Sequence, residues 1–137
     1  MPMNPCERKN LVTNWLTLQQ IRERSSERQD LSWVVAKIWD LCDDAPNEAF
    51  EFILGVLEED TSSAGMAILS AGPLEALLRK HGPRIIGRVE RRARRDPKFA
   101  QLLGHVWKNA MSKTIWTRIE TACNRARDSA PQEERPR

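Results

Sequence analysis

Apolar side chains recur every three to four residues along most of the chain, and no stretch alternates apolar and polar at the period of a strand. The pattern predicts a succession of short helices. Over residues 8–24, Leu11, Trp15 and Leu18 share one face with Arg22 following, and Val12 and Leu16 widen it. Residues 1–7 read as a loose arm, and 25–29 as a polar connector. Asp30 suits the N-cap of a helix over 31–42, on which Leu31, Val35, Ile38, Trp39 and Cys42 fall together. Trp33 does not join them; it points to the side of Lys37 and Asp40. The run from Asp43 to Pro46 breaks the chain, and Pro46 opens a helix over 46–59. That helix is apolar on two sides, with Phe50, Ile53, Leu54 and Leu57 on one and Ala49, Phe52 and Val56 on the other. Two apolar sides predict neighbours on both. A short helix or turn follows at 63–70, around Met66, Ile68 and Leu69.

The stretch from Gly72 to Pro83 reads as a complete short helix with both ends written in. Gly72 is the expected N-cap, and Pro73 suits the first position, where its missing N–H has no partner to lose. Glu75 falls in the first turn, facing the positive end of the helix dipole. Arg79, Lys80 and His81 stand at the other end, and Gly82 is placed to close the helix in the left-handed conformation. Leu74, Leu77 and Leu78 anchor it by burial. Residues 84–95 form the next helix, with Ile85, Ile86, Val89 and Ala93 inward. On the opposite side Arg84, Arg88, Arg91 and Arg95 fall in a stripe about 60° wide, flanked by Arg92 and Arg94. Asp96–Pro97 ends this helix and caps the next. Helix 97–110 buries Phe99, Leu102, Leu103, Val106 and Trp107, and helix 113–127 buries Ile115, Trp116, Ile119, Ala122 and Cys123.

The sum is an all-α fold. We expect one domain over 1–127, a compact bundle of about six to seven short helices, with a disordered tail over 128–137. The helix starts at Pro46 and Pro97, each followed by Phe, leave a short HEAT-like α-solenoid as the alternative. A chain of 137 residues can bury a real core, and five Trp and three Phe supply large pieces for it.

Charge changes the picture more than composition does. The net charge of +3 hides an asymmetry: residues 1–60 carry six basic and twelve acidic side chains, and residues 61–137 carry sixteen and seven. Eight acids and no base lie between 40 and 60. Such asymmetry means a nucleic-acid face, an acidic protein partner, or pairing between the halves. No apolar run approaches the ~20 residues that span a bilayer. The first nine residues have no apolar core of a secretory signal, and three widely spaced cysteines argue for reduced thiols in the cytoplasm.

Candidate chemistry is sparse. Clustered zinc-ligand spacings, a nucleophile elbow and a phosphate loop are all missing, so no metal, cofactor, catalytic residue or small-molecule substrate is inferred. His81 reads as a rim histidine and Glu75 as a helix-end carboxylate. Trp15, Trp39, Trp107 and Trp116 read as core; Trp33 either fills a gap against another helix or stands exposed as an interface anchor. The arginine stripe is a solvated face, a contact for an acidic protein, or a contact for a nucleic-acid backbone. Arginine rather than lysine throughout favours bidentate contacts with carboxylate or phosphate.

Gly72, Pro73, Leu74, Glu75, Leu77, Leu78, His81 and Gly82, then Ala93, Asp96, Pro97, Phe99, Leu102 or Leu103, Val106 and Trp107, carry a resemblance. Over Ile68 to Trp107 the chain resembles a family of small bacterial all-helical domains of uncharacterised function. The resemblance implies a helical domain in a bacterial or phage setting and brings no activity; the arginine density at 84–95 departs from it. The expected function is non-enzymatic: an interaction protein of the immunity or inhibitor kind that occludes a partner surface. Its contacts would be Arg84, Arg88, Arg91, Arg92, Arg95 and Trp33 toward an acidic protein surface, with Asp43, Asp44, Glu48 and Glu51 as a second patch. The alternative is a nucleic-acid-binding regulator using the basic helix Arg84–Arg95.

Overall fold

The computed structural model describes residues 4–20, 32–60, 62–106 and 111–128. Among these, the chain forms seven α-helices, one π-helical segment and no strand. They are α1 (Pro5–Gln20), α2 (Ser32–Asp44), α3 (Pro46–Glu59), α4 (Ser63–Leu69), a π segment (Ser70–Leu74), α5 (Glu75–Arg95), α6 (Pro97–Leu103) and α7 (Lys113–Asp128). The Asp30 cap, Arg22, Trp107 and the tail from 129 lie outside the described residues.

Side-chain caps set several of the boundaries. Asn4 Oδ1 accepts the Glu7 N–H at 2.8 Å, so α1 starts at Pro5, and residues 5–7 of the predicted loose arm are already helix; residues 1–3 lie outside the described residues. Ser62 Oγ accepts the Gly65 N–H at 3.0 Å to open α4. Asp96 does both jobs expected of it. Its N–H donates to the Arg92 carbonyl at 2.9 Å, and its Oδ1 accepts from Lys98 N at 3.1 Å and from Phe99 N at 3.4 Å.

The core lies between α3 and α5. As its two apolar sides predict, α3 packs on α1 and α2, on α5 and on α6. Trp15 of α1 meets Phe52 edge-on with ring centroids 5.9 Å apart, and Phe50 meets Phe99 of α6 at 5.5 Å. α1 comes so close to α3 that a Cβ on Gly55 would lie 2.9 Å from Val12 Cγ2. The contact of α2 with α5 passes over the α3–α4 pair and so is not between successive repeats. A solenoid stacks each unit on its sequence neighbours alone, so the solenoid alternative gives way to a bundle.

Three expectations fail in instructive ways. First, Gly72–Pro83 is not a free-standing helix. α4, the π segment and α5 run on without a cap, and Gly72 is interior. The Glu75 N–H reaches back to the Ser70 carbonyl, a five-residue step that widens the turn around Pro73 and spares the helix a break. Second, Gly82 is not left-handed and closes nothing. α7 crosses there, and a Cβ on Gly82 would lie 2.9 Å from Ile115 Cγ1. The break falls at His81, with φ −126° and ψ 25°, because Pro83 offers no N–H and crowds the carbonyl of Arg79. Third, Trp39 is not core: it is 42% exposed. The buried face of α2 is Val34, Ile38, Leu41 and Cys42, rotated from the predicted one, which leaves Trp39 on its edge. Ile68 is likewise exposed. The leucine anchor holds: Leu74, Leu77 and Leu78 are all buried.

Candidate functional site

The arginine stripe divides into two sets. Arg88 turns toward α3, where its Nη2 donates to Glu51 Oε1 at 2.7 Å and its Nη1 to Asn47 Oδ1 at 3.1 Å. Its guanidinium also sits 4.6 Å from the Phe50 ring centroid. Arg92 pairs with Asp96 one turn on, Nη2 to Oδ2 at 2.9 Å. Arg84, Arg91, Arg94 and Arg95 are exposed and make no hydrogen bond or ion pair among the described residues. α5 therefore presents a crest of four unpaired guanidiniums. On its α3 flank stand Glu51 and Asp96; on its α7 flank Glu90 takes a two-point grip from Arg118, with Nε donating at 2.9 Å. That grip raises the Arg118 pKa further above its ordinary value, through hydrogen bonding to Glu90.

The acidic patch is not a second free surface. Glu51 is shared between Arg88 and Arg8, whose Nη1 lies 3.3 Å from Oε2. Asp43 joins α2 to α5 twice: its carboxylate pairs with Lys80, and its carbonyl accepts from His81 Nε2 at 2.8 Å. Glu48 is half-buried, and Asp44 is exposed. His81 is thus the rim histidine bonded to a carbonyl that its position suggested. Half-exposed pairs of this kind are each worth about 0–1 kcal/mol, so their value lies in fixing register between helices.

The two tryptophans of α2 stand on opposite edges of that helix. Trp33, 48% exposed, helps line a small recess of about 170 Å³ with Glu7, Asn10, Leu11 and Lys37. Trp39 lies one turn before Asp43, on the edge that meets α5. A larger open groove of about 640 Å³ runs between α1 and α3, with Val12, Leu16 and Leu54 in its floor. Its charged lining mixes Arg8, Lys9 and Arg92 with Glu51, Glu58 and Glu59, so it presents no single sign to a ligand.

Other reactive groups are dispersed. No three His, Cys, Asp or Glu side chains converge on a metal-sized space among the described residues. The three cysteines are free. Cys42 is fully buried and donates to the Pro73 carbonyl at 3.6 Å; burial pushes its thiol up to about 11, with Asp43 adding and Lys80 opposing. Glu75 is 8% exposed and makes no hydrogen bond or ion pair through its carboxylate among the described residues. It does not cap a free helix end as its position suggested, since the π segment occupies that end.

The profile of a family of unknown function, DUF6869, matches residues 21–127. The chain belongs to this family. The match takes in α2 to α7 and leaves out α1, which nonetheless supplies Leu11, Val12, Trp15 and Leu18 to the core. No curated protein and no solved structure matches the chain. Among the described residues, no helix is long and apolar enough to cross a membrane.

Sequence reasoning chose Arg84, Arg91 and Arg95 from spacing, and they remain available at the surface. It missed that Arg88 and Arg92 are occupied, because their partners Glu51 and Asp96 are acids it had set aside as a separate patch and a cap. It missed Trp39 by reading the buried face of α2 too far round the helix.

Proposed function

We propose that the protein is a non-enzymatic interaction module of the immunity or inhibitor kind, of bacterial or phage origin and cytoplasmic, that lays the crest of α5 on an acidic surface of a protein partner. The observation that carries this is the set Arg84, Arg91, Arg94 and Arg95: exposed, on one crest, with no carboxylate partner among the described residues. Four like charges within about three turns repel one another and favour a compensating anion from outside. Guanidinium geometry suits carboxylates held in pairs. The crest is narrow, with Glu51 and Asp96 on one flank and Glu90 on the other. A nucleic-acid backbone lying along α5 would meet those carboxylates, whereas side chains projecting from a protein surface reach the crest alone. Occlusion needs no catalytic group, which agrees with the dispersal of reactive side chains.

The test is a pull-down from the native host with the wild type and with an R84E/R91E/R94E/R95E variant, alongside gel shifts with duplex DNA, single-stranded DNA and RNA. A protein retained by the wild type and lost with the variant is the expected result. A saturable shift near ~150 mM salt, with log affinity falling about 0.9 per phosphate against log salt, replaces this reading with the nucleic-acid one.

A further inference from the structure

We infer that Trp39 and the α5 crest form one docking surface, and that its occupant is an acidic helical segment of a partner protein carrying an aliphatic or aromatic side chain at the end that meets Trp39. The inference rests on the reading of the crest given above and adds the anchor. On α2, Trp39 and Asp43 are four residues apart and so are neighbours on the helix surface. Asp43 is held by Lys80 through its carboxylate and by His81 through its carbonyl. Lys80 in turn stands one turn before Arg84 on α5. The surface therefore runs from Trp39, past the Asp43–Lys80 bridge, to Arg84, Arg91 and Arg95.

From residue 82 to residue 95 the helix beyond the kink rises about 20 Å, the length of a partner helix of about 13 residues. Trp39 is 42% exposed. A large aromatic left half in water beside a row of guanidiniums has the make-up of an interface centre, where tryptophan and arginine dominate binding energy. The two parts are also fixed in advance. Besides the Asp43 bridge, the Cys42 thiol donates to Pro73 at 3.6 Å, so α2 is tied to the π segment and α5 at the turn next to Trp39. Little ordering is left for binding to impose. Trp33 does not belong to this surface: it is on the other edge of α2, against Glu7 and Asn10 of α1.

The probe is a synthetic helix-forming peptide with glutamates at helical spacing along one face and a single leucine at one end of it, compared with its leucine-to-serine twin. Fluorescence anisotropy is measured with the full-length wild type, Trp39→Ala, Trp33→Ala and R84E/R91E/R95E. We expect the peptide to bind the wild type and Trp33→Ala alike. Trp39→Ala and the serine twin should each weaken binding about 30-fold, and together no further, since both remove the same contact. The triple variant should lose binding. If Trp39→Ala binds as the wild type does while the triple variant fails, the anchor is wrong and the crest reading stands. If the triple variant binds as the wild type does, or no peptide binds, both fall. A single-stranded oligonucleotide of matching length that binds more tightly than the peptide also overturns the inference.

Discussion

The run from Ser70 to Arg95 consists of two unlike helical halves that meet at the kink at His81. In residues 70–82, Ser70, Pro73, Leu74, Glu75, Ala76, Leu77, Leu78 and Gly82 are buried, and the backbone departs from α geometry twice, at the π segment and at His81. In residues 84–95 only Ile85, Ile86, Val89 and Ala93 are buried; the backbone is regular, and the outward residues are mostly arginine. The first half is shaped by its neighbours on nearly every side. The second touches them with one face and offers the rest to solvent. Residues that look alike in sequence therefore have different costs of change in the two halves, and the following experiments press on that difference.

The largest effect is expected at Leu77. It is fully buried in the first half. Leu77→Ala should cost about 2–5 kcal/mol, read from urea unfolding. An unchanged midpoint would show that the first half is not packed as described.

The next effect is a pH dependence. Cys42 ties α2 to the first half, and its thiol is pushed up to about 11 from an ordinary value of 9.0. The unfolded thiol loses its proton first, so between those values the unfolded state is the less protonated, and stability falls as pH rises. The full loss is about 2–3 kcal/mol, complete above the folded value and absent below the unfolded one. Stability of the wild type and of Cys42→Ala, measured from pH 8 to pH 11, should converge by that amount. Parallel curves would remove the claim.

Two glycines sharpen the comparison further. A side chain on Gly82 meets Ile115 at 2.9 Å, whereas a Cβ on Gly87 has only Arg91 Nη1, the far end of a long side chain, at 3.6 Å. Gly82→Val should cost about 1–3 kcal/mol by overpacking. Gly87→Ala should gain about 0.5–1 kcal/mol from lost unfolded-state freedom. Calorimetry that showed the same sign for both would contradict the division.

Much of the fold was legible because helical periodicity records which residues are buried. Pro46–Glu59 and the Asp96 cap were readable to the residue, since a proline or a cap with its partners is local. The π segment was not: Gly72–Pro73 has the signature of a helix start, and only the packing of α2 on this turn shows that the chain runs through it. Gly82 misled for the same reason. Glycine after a helical run suits a left-handed closure, but here it answers to Ile115, 33 residues away. Of the candidate site, the exposed arginines were legible from spacing. Their division into paired and unpaired was not, because Glu51 and Arg8 reach Arg88's neighbourhood only through the tertiary arrangement.

The smallest effect concerns the crest itself. Arg84 and Arg91 touch no acid among the described residues, and each stands near like charges on the same helix. Removing one loses no ion pair and relieves some repulsion, while alanine is at least as good a helix former. Arg84→Ala and Arg91→Ala should therefore shift stability by no more than about 0.5 kcal/mol in either direction. Arg88→Ala differs although it lies on the same stripe. It strips Glu51 of its closer partner and uncovers the Phe50 ring. Its cost should be about 1 kcal/mol, composed of a part-exposed ion pair and a cation–π contact. Ranked melting temperatures for the three variants read this directly. With Arg84→Ala and Arg91→Ala at the wild-type value and Arg88→Ala below it, the crest is unspent charge carried at no structural need. With all three equally low, the unpaired arginines are part of the scaffold after all, and the surface offered to a partner shrinks to the neighbourhood of Trp39.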